Sequence, residues 1–202
     1  MDPAAKIYFD VQSSPRGAPE SLRATARELF YAEGYGVSID AVTARANVAK
    51  PTVYAHFRSK DDLIGTMLAA ACEAWFTEVN AELERHAGDP VARLLAPFDL
   101  LAAGLPDPAY HGCILVNSAA AFLAPDHPAQ RALAVHDERM VTLFERLATE
   151  AGAAEPSDLA RQLLVLYDGV KARGLVDNTG GAARDARTAA AALLRSHGAT
   201  SP

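Results

Sequence analysis

The amino-acid sequence predicts an all-α fold of nine helices, and three observations carry that prediction. The 202 residues include 43 alanines, and alanine has the highest intrinsic helix propensity. Apolar residues recur at three- and four-residue steps along most of the chain, and no run alternates with the two-residue period of a half-buried strand. Clusters of Gly, Pro, Asn and Asp interrupt the periodic stretches where helices would start and stop.

The elements follow in order. Residues 1–18, with Pro3, Ser13, Ser14, Pro15 and Gly17, have no sustained period and read as a flexible N-terminal arm. Leu22, Ala26, Leu29 and Phe30 share one helical face, and Gly34 with Gly36 marks its end. Ile39, Val42 and Ala46 give a second, short helix with Ser38 as its N-cap. Asn47 suits a left-handed turn residue and Pro51 the first turn of a third helix, whose buried side is Val53 and Phe57. Two short helices joined by a tight turn after a longer one match a three-helix DNA-binding unit. Ser59-Lys60-Asp61-Asp62 reads as a capping box. It opens a long helix from Lys60 to about His86, with Leu63, Met67, Trp75, Val79 and Leu83 on one side. Further helices are expected at about 91–103, 110–123, 128–151, 157–175 and 182–197.

Composition narrows the function. Half the residues are hydrophobic and 22% are charged, within the ordinary globular range. Two cysteines, Cys72 and Cys113, make neither a disulfide framework nor a CxxC zinc pattern. With no apolar run long enough to span a bilayer and no signal-peptide pattern, a cytoplasmic protein with no membrane partner is expected. The formal charge of −6 counts against nucleic acid only if it is evenly spread. It is not: residues 1–70 hold eight basic and eight acidic side chains, and Ser38–Lys60 alone carries +3.

The stretch SIDAVTARANVAKPTVYAHFRSKDDL, Ser38 to Leu63, closely resembles the helix-turn-helix signature of the TetR family of bacterial transcriptional repressors. The resemblance rests on Ile39, Val42 and Val48, on Thr52-Val53-Tyr54-Ala55-His56-Phe57 as recognition helix, and on Ser59-Lys60-Asp61. It implies a helix-turn-helix DNA-binding domain over 19–65, followed over 66–202 by a helical bundle that binds an effector and dimerises. A recognition helix presents its N-terminal residues to base edges while hydroxyls and ammonium groups hold phosphates. The DNA-facing set is accordingly Ser38, Ala49, Lys50, Pro51, Thr52, Tyr54, His56 and Lys60. Lys50 and Thr52 are placed for bases, and by resemblance Tyr54 and Lys60 hold phosphates. Three features depart from the family pattern: Asn47 replaces the usual Gly, Asp40 puts an acid on the supporting helix, and the recognition helix has no Arg for a bidentate guanine contact.

The remaining residues match the family only loosely. Trp75, Phe98, Asn117, Met140, Phe144 and Tyr167 are the expected lining of a mostly apolar effector pocket. Filling of the core is the bland alternative for Phe98, Met140 and Phe144. Asn117 inside an apolar run is expected to be a buried amide that needs partners. Leu159, Leu163, Leu166 and Val170 on one helix, with Ala186, Ala190, Leu193 and Leu194 on the next, are expected to form a four-helix homodimer interface. His111 and Cys113 lack a third and fourth ligand, so no metal and no cofactor are expected. Nothing basic adjoins Cys113 in the sequence, and it reads as a small buried hydrophobe. No catalytic fingerprint is present. The function implied is a ligand-responsive repressor, not an enzyme, bound to double-stranded operator DNA and released by a small-molecule effector. The alternative is a helical small-molecule-binding protein or enzyme with a degenerate DNA-binding module.

Overall fold

The computed structural model describes residues 17–107 and 110–200. The expected arm, with Lys6 and Arg16, therefore lies outside the described residues apart from Gly17 and Ala18. Among the described residues there are nine helices and no strand: α1 (Ala18–Glu33), α2 (Ile39–Ala46), α3 (Lys50–His56), α4 (Lys60–Arg85), α5 (Pro90–Gly104), α6 (Ile114–Ala121), α7 (Pro128–Glu150), α8 (Pro156–Arg173) and α9 (Gly181–Ser196).

The described residues form two compact units. The first takes in residues 17–73 and also 114–133; the second takes in 74–107, 110–113 and 134–200. In the first unit α1 buries Leu22, Ala26 and Phe30, one residue per helical turn. It stops at Gly34, whose φ of 83° suits a residue without Cβ. Ser38 caps α2 by accepting the Ala41 N–H at 3.2 Å. Asn47 ends α2 in the left-handed conformation at φ 53°, so the turn tolerates Asn in place of Gly as expected. Val53 and Phe57 bury the inner side of α3. Ser59 Oγ accepts the Asp62 N–H at 3.1 Å, and Asp62 reaches back to the Arg58 N–H at 2.9 Å, one residue short of the reciprocal capping bond.

α6 and the start of α7 complete this unit. The stretch 110–123 was expected to be helical throughout, but Gly112 adopts φ 93° and delays α6 until Ile114. Ser118 donates to the Ile114 carbonyl at 2.5 Å and is bonded to the Tyr35 hydroxyl. Phe122 meets Tyr35 edge-on at 5.2 Å and stacks on His127 at 4.0 Å. Gln130 donates to the carbonyls of Ala119 and Phe122, both at 2.8 Å, and so ties down the α6–α7 turn.

Gly65 lies where a Cβ would sit 2.8 Å from Cβ of Pro128. Because a proline ring at a helix start cannot rotate away, Gly65→Ala is expected to lower stability by about 1–3 kcal/mol, despite alanine's better helix propensity. A urea melt at or above the wild-type midpoint would show that this contact is not tight.

The second unit is a helical bundle. Asp89 caps α5 by accepting the Ala92 N–H at 3.0 Å, and α5 packs chiefly against α9, which also lies along α8. Its core is built from Leu94, Phe98, Leu101, Phe144, Leu163 and Leu194, all 1% exposed or less. Arg187 on α9 joins Asp99 on α5 at 2.6 Å.

Candidate nucleic-acid interface and bundle interior

In the first unit the spacing of α3 divides the helix cleanly. Val53 and Phe57 face the core, while Lys50, Pro51, Tyr54 and His56 are exposed and Thr52 is half-buried. Tyr54 leaves 53% of its surface in solvent, so its hydroxyl and ring are both within reach of a partner laid along α3. Ala49 is the extended N-cap residue of α3. Ser38 is exposed with its oxygen engaged in capping α2.

Pairing of the basic groups was not legible in the sequence. Lys50 Nζ lies 2.7 Å from Asp40, Arg45 lies 2.6 Å from Glu28, and Arg58 lies 3.5 Å from Asp62. The hydrogen bond that Lys50 donates to Asp40 holds its ammonium above its ordinary pKa. Lys60 donates to the Tyr35 carbonyl at 2.5 Å and sits 5.3 Å from the Phe30 ring centroid. That bond uses one of its three N–H groups and leaves two for other acceptors.

In the second unit four of the six expected pocket residues come together, and a fifth is buried in the same unit. Tyr167 is the hub, with ring centroids 6.2 Å from Trp75 and 6.3 Å from both Phe98 and Phe144; Met140 is fully buried. Asn117 is the exception. It lies on α6 in the first unit and is only half-buried, and the buried polar side chain of that helix is its neighbour Ser118. One residue along a helix turns the side chain by about 100°, enough to exchange their roles.

Beside Tyr167 lies a charged cluster that the sequence did not announce. Lys171 is 1% exposed, with Asp168 at 2.8 Å, Asp137 at 3.6 Å and the Tyr167 ring centroid at 4.8 Å. Burial by itself would lower the Lys171 pKa, but Cys113, Asp168 and Asp137 outweigh it and hold it above the ordinary lysine value. The fold thus brings a basic side chain within electrostatic reach of Cys113 that its sequence neighbours do not supply, and Cys113 itself is buried as expected. His136 bonds Asp137 at 2.9 Å and is 2% exposed; burial lowers its pKa, and the hydrogen bond only partly offsets this. Among the described residues no group of three or more His, Cys, Asp or Glu is placed to hold a metal ion.

The expected dimer seam needs correction. Leu159, Leu163, Val170 and Ala190 are 1% exposed or less, buried against their own chain, so a second copy cannot touch them. Leu166, Ala186 and Leu193 are half-buried and remain reachable. Along α8 and α9 runs a groove of about 480 Å³ lined by Val165, Leu166, Gly169, Ala182, Ala186 and Ala189 together with the charged Arg173, Asp177 and Asp185.

Comparison with known proteins places this architecture. Residues 22–67, spanning α1 to the first turns of α4, match the family of bacterial regulatory proteins named tetR. A TetR-family transcriptional regulator from Streptomyces coelicolor superposes with a TM-score of 0.81 at 29% identity, over 88% of this chain and 94% of its own. The N-terminal helices belong to the TetR family, and the whole chain shares the fold of its members. A second TetR-type structure, a putative transcriptional regulator from Streptomyces avermitilis, is 28% identical with a TM-score of 0.80, over 91% of this chain and all of its own. Reduced NemR from Escherichia coli shares the fold at 20% identity and a TM-score of 0.74, over 87% of this chain and 96% of its own. No curated protein sequence matches the chain. Among the described residues, no helix is long and apolar enough to cross a membrane.

Proposed function

We propose that this DNA-binding regulator acts in the cytoplasm as a homodimeric repressor, released from a palindromic operator by a small-molecule effector and without catalytic activity of its own. The observation that carries this reading is the division of α3, with Val53 and Phe57 inward and Lys50, Pro51, Tyr54 and His56 outward. An exposed face with a hydroxylated aromatic and an ammonium suits a helix that lies in the major groove, its flanking groups on phosphates. In this reading residues 19–65 meet DNA and 66–202 take the effector and the second copy. Two-fold symmetry then sets half-sites about one helical turn apart, or a multiple of it. The effector must bind the DNA-free conformation better, and operator DNA must weaken effector binding by the same factor.

The test is duplex binding by the full chain, using DNA from upstream of its own gene at two or more salt concentrations. Affinity should fall steeply as salt rises. An absence of salt-sensitive binding would favour the second reading, a small-molecule-binding protein or enzyme with a degenerate DNA-binding module, which draws support from the internal pairing of Lys50, Arg45 and Arg58.

Dimerisation through the α8–α9 groove has its own test. Val165 is 71% exposed, so Val165→Asp should leave the fold intact and shift sedimentation to a monomer. Leu163→Asp, at a fully buried position, should unfold the chain instead. A dimeric Val165→Asp protein would place the interface elsewhere.

A further inference from the structure

The Lys50–Asp40 pair joins the first turn of α2 to the first residue of α3 at the surface. Its side chains are 52% and 67% exposed, and pairs so open to solvent contribute little to stability. Ser38 already caps α2, and neither side chain belongs to the buried core. The pair does give α3 an outward edge with a hydrogen-bond donor and an acceptor side by side, 2.7 Å apart. Tyr54 lies close enough to act electrostatically on Lys50, so the pair borders the face assigned above to DNA.

We propose that Asp40 and Lys50 together read a single G·C base pair in each half-site, Lys50 donating to guanine O6 and N7 while Asp40 accepts from the free N4–H of the paired cytosine. This rests on the DNA-binding role of α3 proposed above. In the major groove guanine O6 and cytosine N4 are about 2.9 Å apart, an ordinary hydrogen-bond length. The spacing of the protein atoms therefore matches that of the base atoms, and two parallel hydrogen bonds can form while Lys50 and Asp40 keep their own.

Lysine alone is a poor reader, because a rotating ammonium accepts any nearby acceptor: guanine O6, thymine O4 or a purine N7. The neighbouring carboxylate adds the discrimination. With adenine under Lys50, the adenine N6 donor faces the ammonium and the thymine O4 acceptor faces the carboxylate, so both contacts are repulsive. With thymine there, Lys50 finds one acceptor beside a methyl group in place of two acceptors. With cytosine under Lys50, donor meets donor and acceptor meets acceptor. Asp40 also repels phosphates, which penalises registers in which the pair misses its base pair. Asp40 would thus supply specificity on a recognition helix that lacks Arg.

The full chain, with Asp40→Asn, Asp40→Glu and Lys50→Gln variants, would be used to select sequences from a randomised duplex library. Affinities for the selected duplexes would then be measured by fluorescence anisotropy. The wild-type consensus should contain one G·C position per half-site at which A·T or C·G weakens binding about tenfold or more. Asp40→Asn and Lys50→Gln should flatten the preference at that same position and leave the rest of the consensus intact. Asp40→Glu should retain it, and Asp40→Asn should bind unselected duplex at least as tightly as wild type. An unchanged G·C preference in Asp40→Asn, or effects of the two residues at different positions, would overturn the inference while leaving the DNA-binding role standing. If the wild-type chain enriches no consensus, both fall together.

Discussion

Tyr54→Ala is expected to weaken binding to every duplex, operator and unrelated sequence alike, by about a hundredfold or more in the dimeric complex. Tyr54 packs against no core and leaves 53% of its surface in solvent, so its removal should not lower the thermal midpoint. A hydrogen bond from its hydroxyl to a charged phosphate is worth about 1.5–3 kcal/mol. Because two-fold symmetry presents Tyr54 twice, a dimer loses the contact at both half-sites and the two losses add. Anisotropy titrations against the operator and a scrambled duplex would measure this. Tyr54→Phe separates the sources of the effect: it keeps the ring and removes only the donor, so it should fall nearly as far as Tyr54→Ala. If Tyr54→Phe binds like wild type, the ring packs on the sugar-phosphate backbone and the hydroxyl is idle. If Tyr54→Ala binds like wild type, the outward face of α3 is not the face that meets DNA.

The recognition helix was legible because its signals are local. Val53 and Phe57 stand four residues apart, Asn47 tolerates the left-handed conformation, and Ser38 and Ser59 cap the helices they precede. Each needs only neighbouring residues to be interpreted. The bundle was less legible because α8 offers two apolar stripes. Leu159, Leu163, Tyr167 and Val170 recur at helical spacing, and so do Val165, Leu166 and Gly169 on an adjoining side. Periodicity says that a helix has an apolar face but not which of two faces meets its own core and which awaits a partner; burial assigns the first stripe to the core. The start of α6 was hidden for another reason. Gly112 reads equally well as a tolerated helical glycine or as a turn residue, and only its φ of 93° decides.

The charged cluster was hidden most deeply, because lysine is almost never fully buried unless paired, and one of its partners, Asp137, is distant in sequence. Replacing both carboxylates, Asp137→Asn with Asp168→Asn, is expected to cost about 3 kcal/mol, the low end of the range for stranding a buried charge. The low end applies because the two side chains keep 28% and 42% of their surface exposed, while that of Lys171 keeps 2%. Lys171→Met, which removes the charge and fills a similar volume, should change stability by less than about 1 kcal/mol. The asymmetry between these variants is the signature of a buried ion cluster, and urea midpoints read it directly.

pH supplies a second readout of the same cluster. Lys171 has a higher pKa folded than unfolded, so its contribution is fully present below the ordinary lysine value and is lost as pH rises through the folded value. Lys171→Met should therefore flatten the alkaline limb of the stability profile. His136 is shifted the other way, with a folded pKa below the unfolded one. The unfolded chain then binds the extra proton, and stability falls as pH drops below about 6.5. His136→Gln should remove that acid-side slope while leaving the alkaline limb in place. A double Asn variant as stable as wild type, with Lys171→Met alone destabilised, would mean that Lys171 contributes through packing of its aliphatic stem against Tyr167, and that the carboxylates do not hold it.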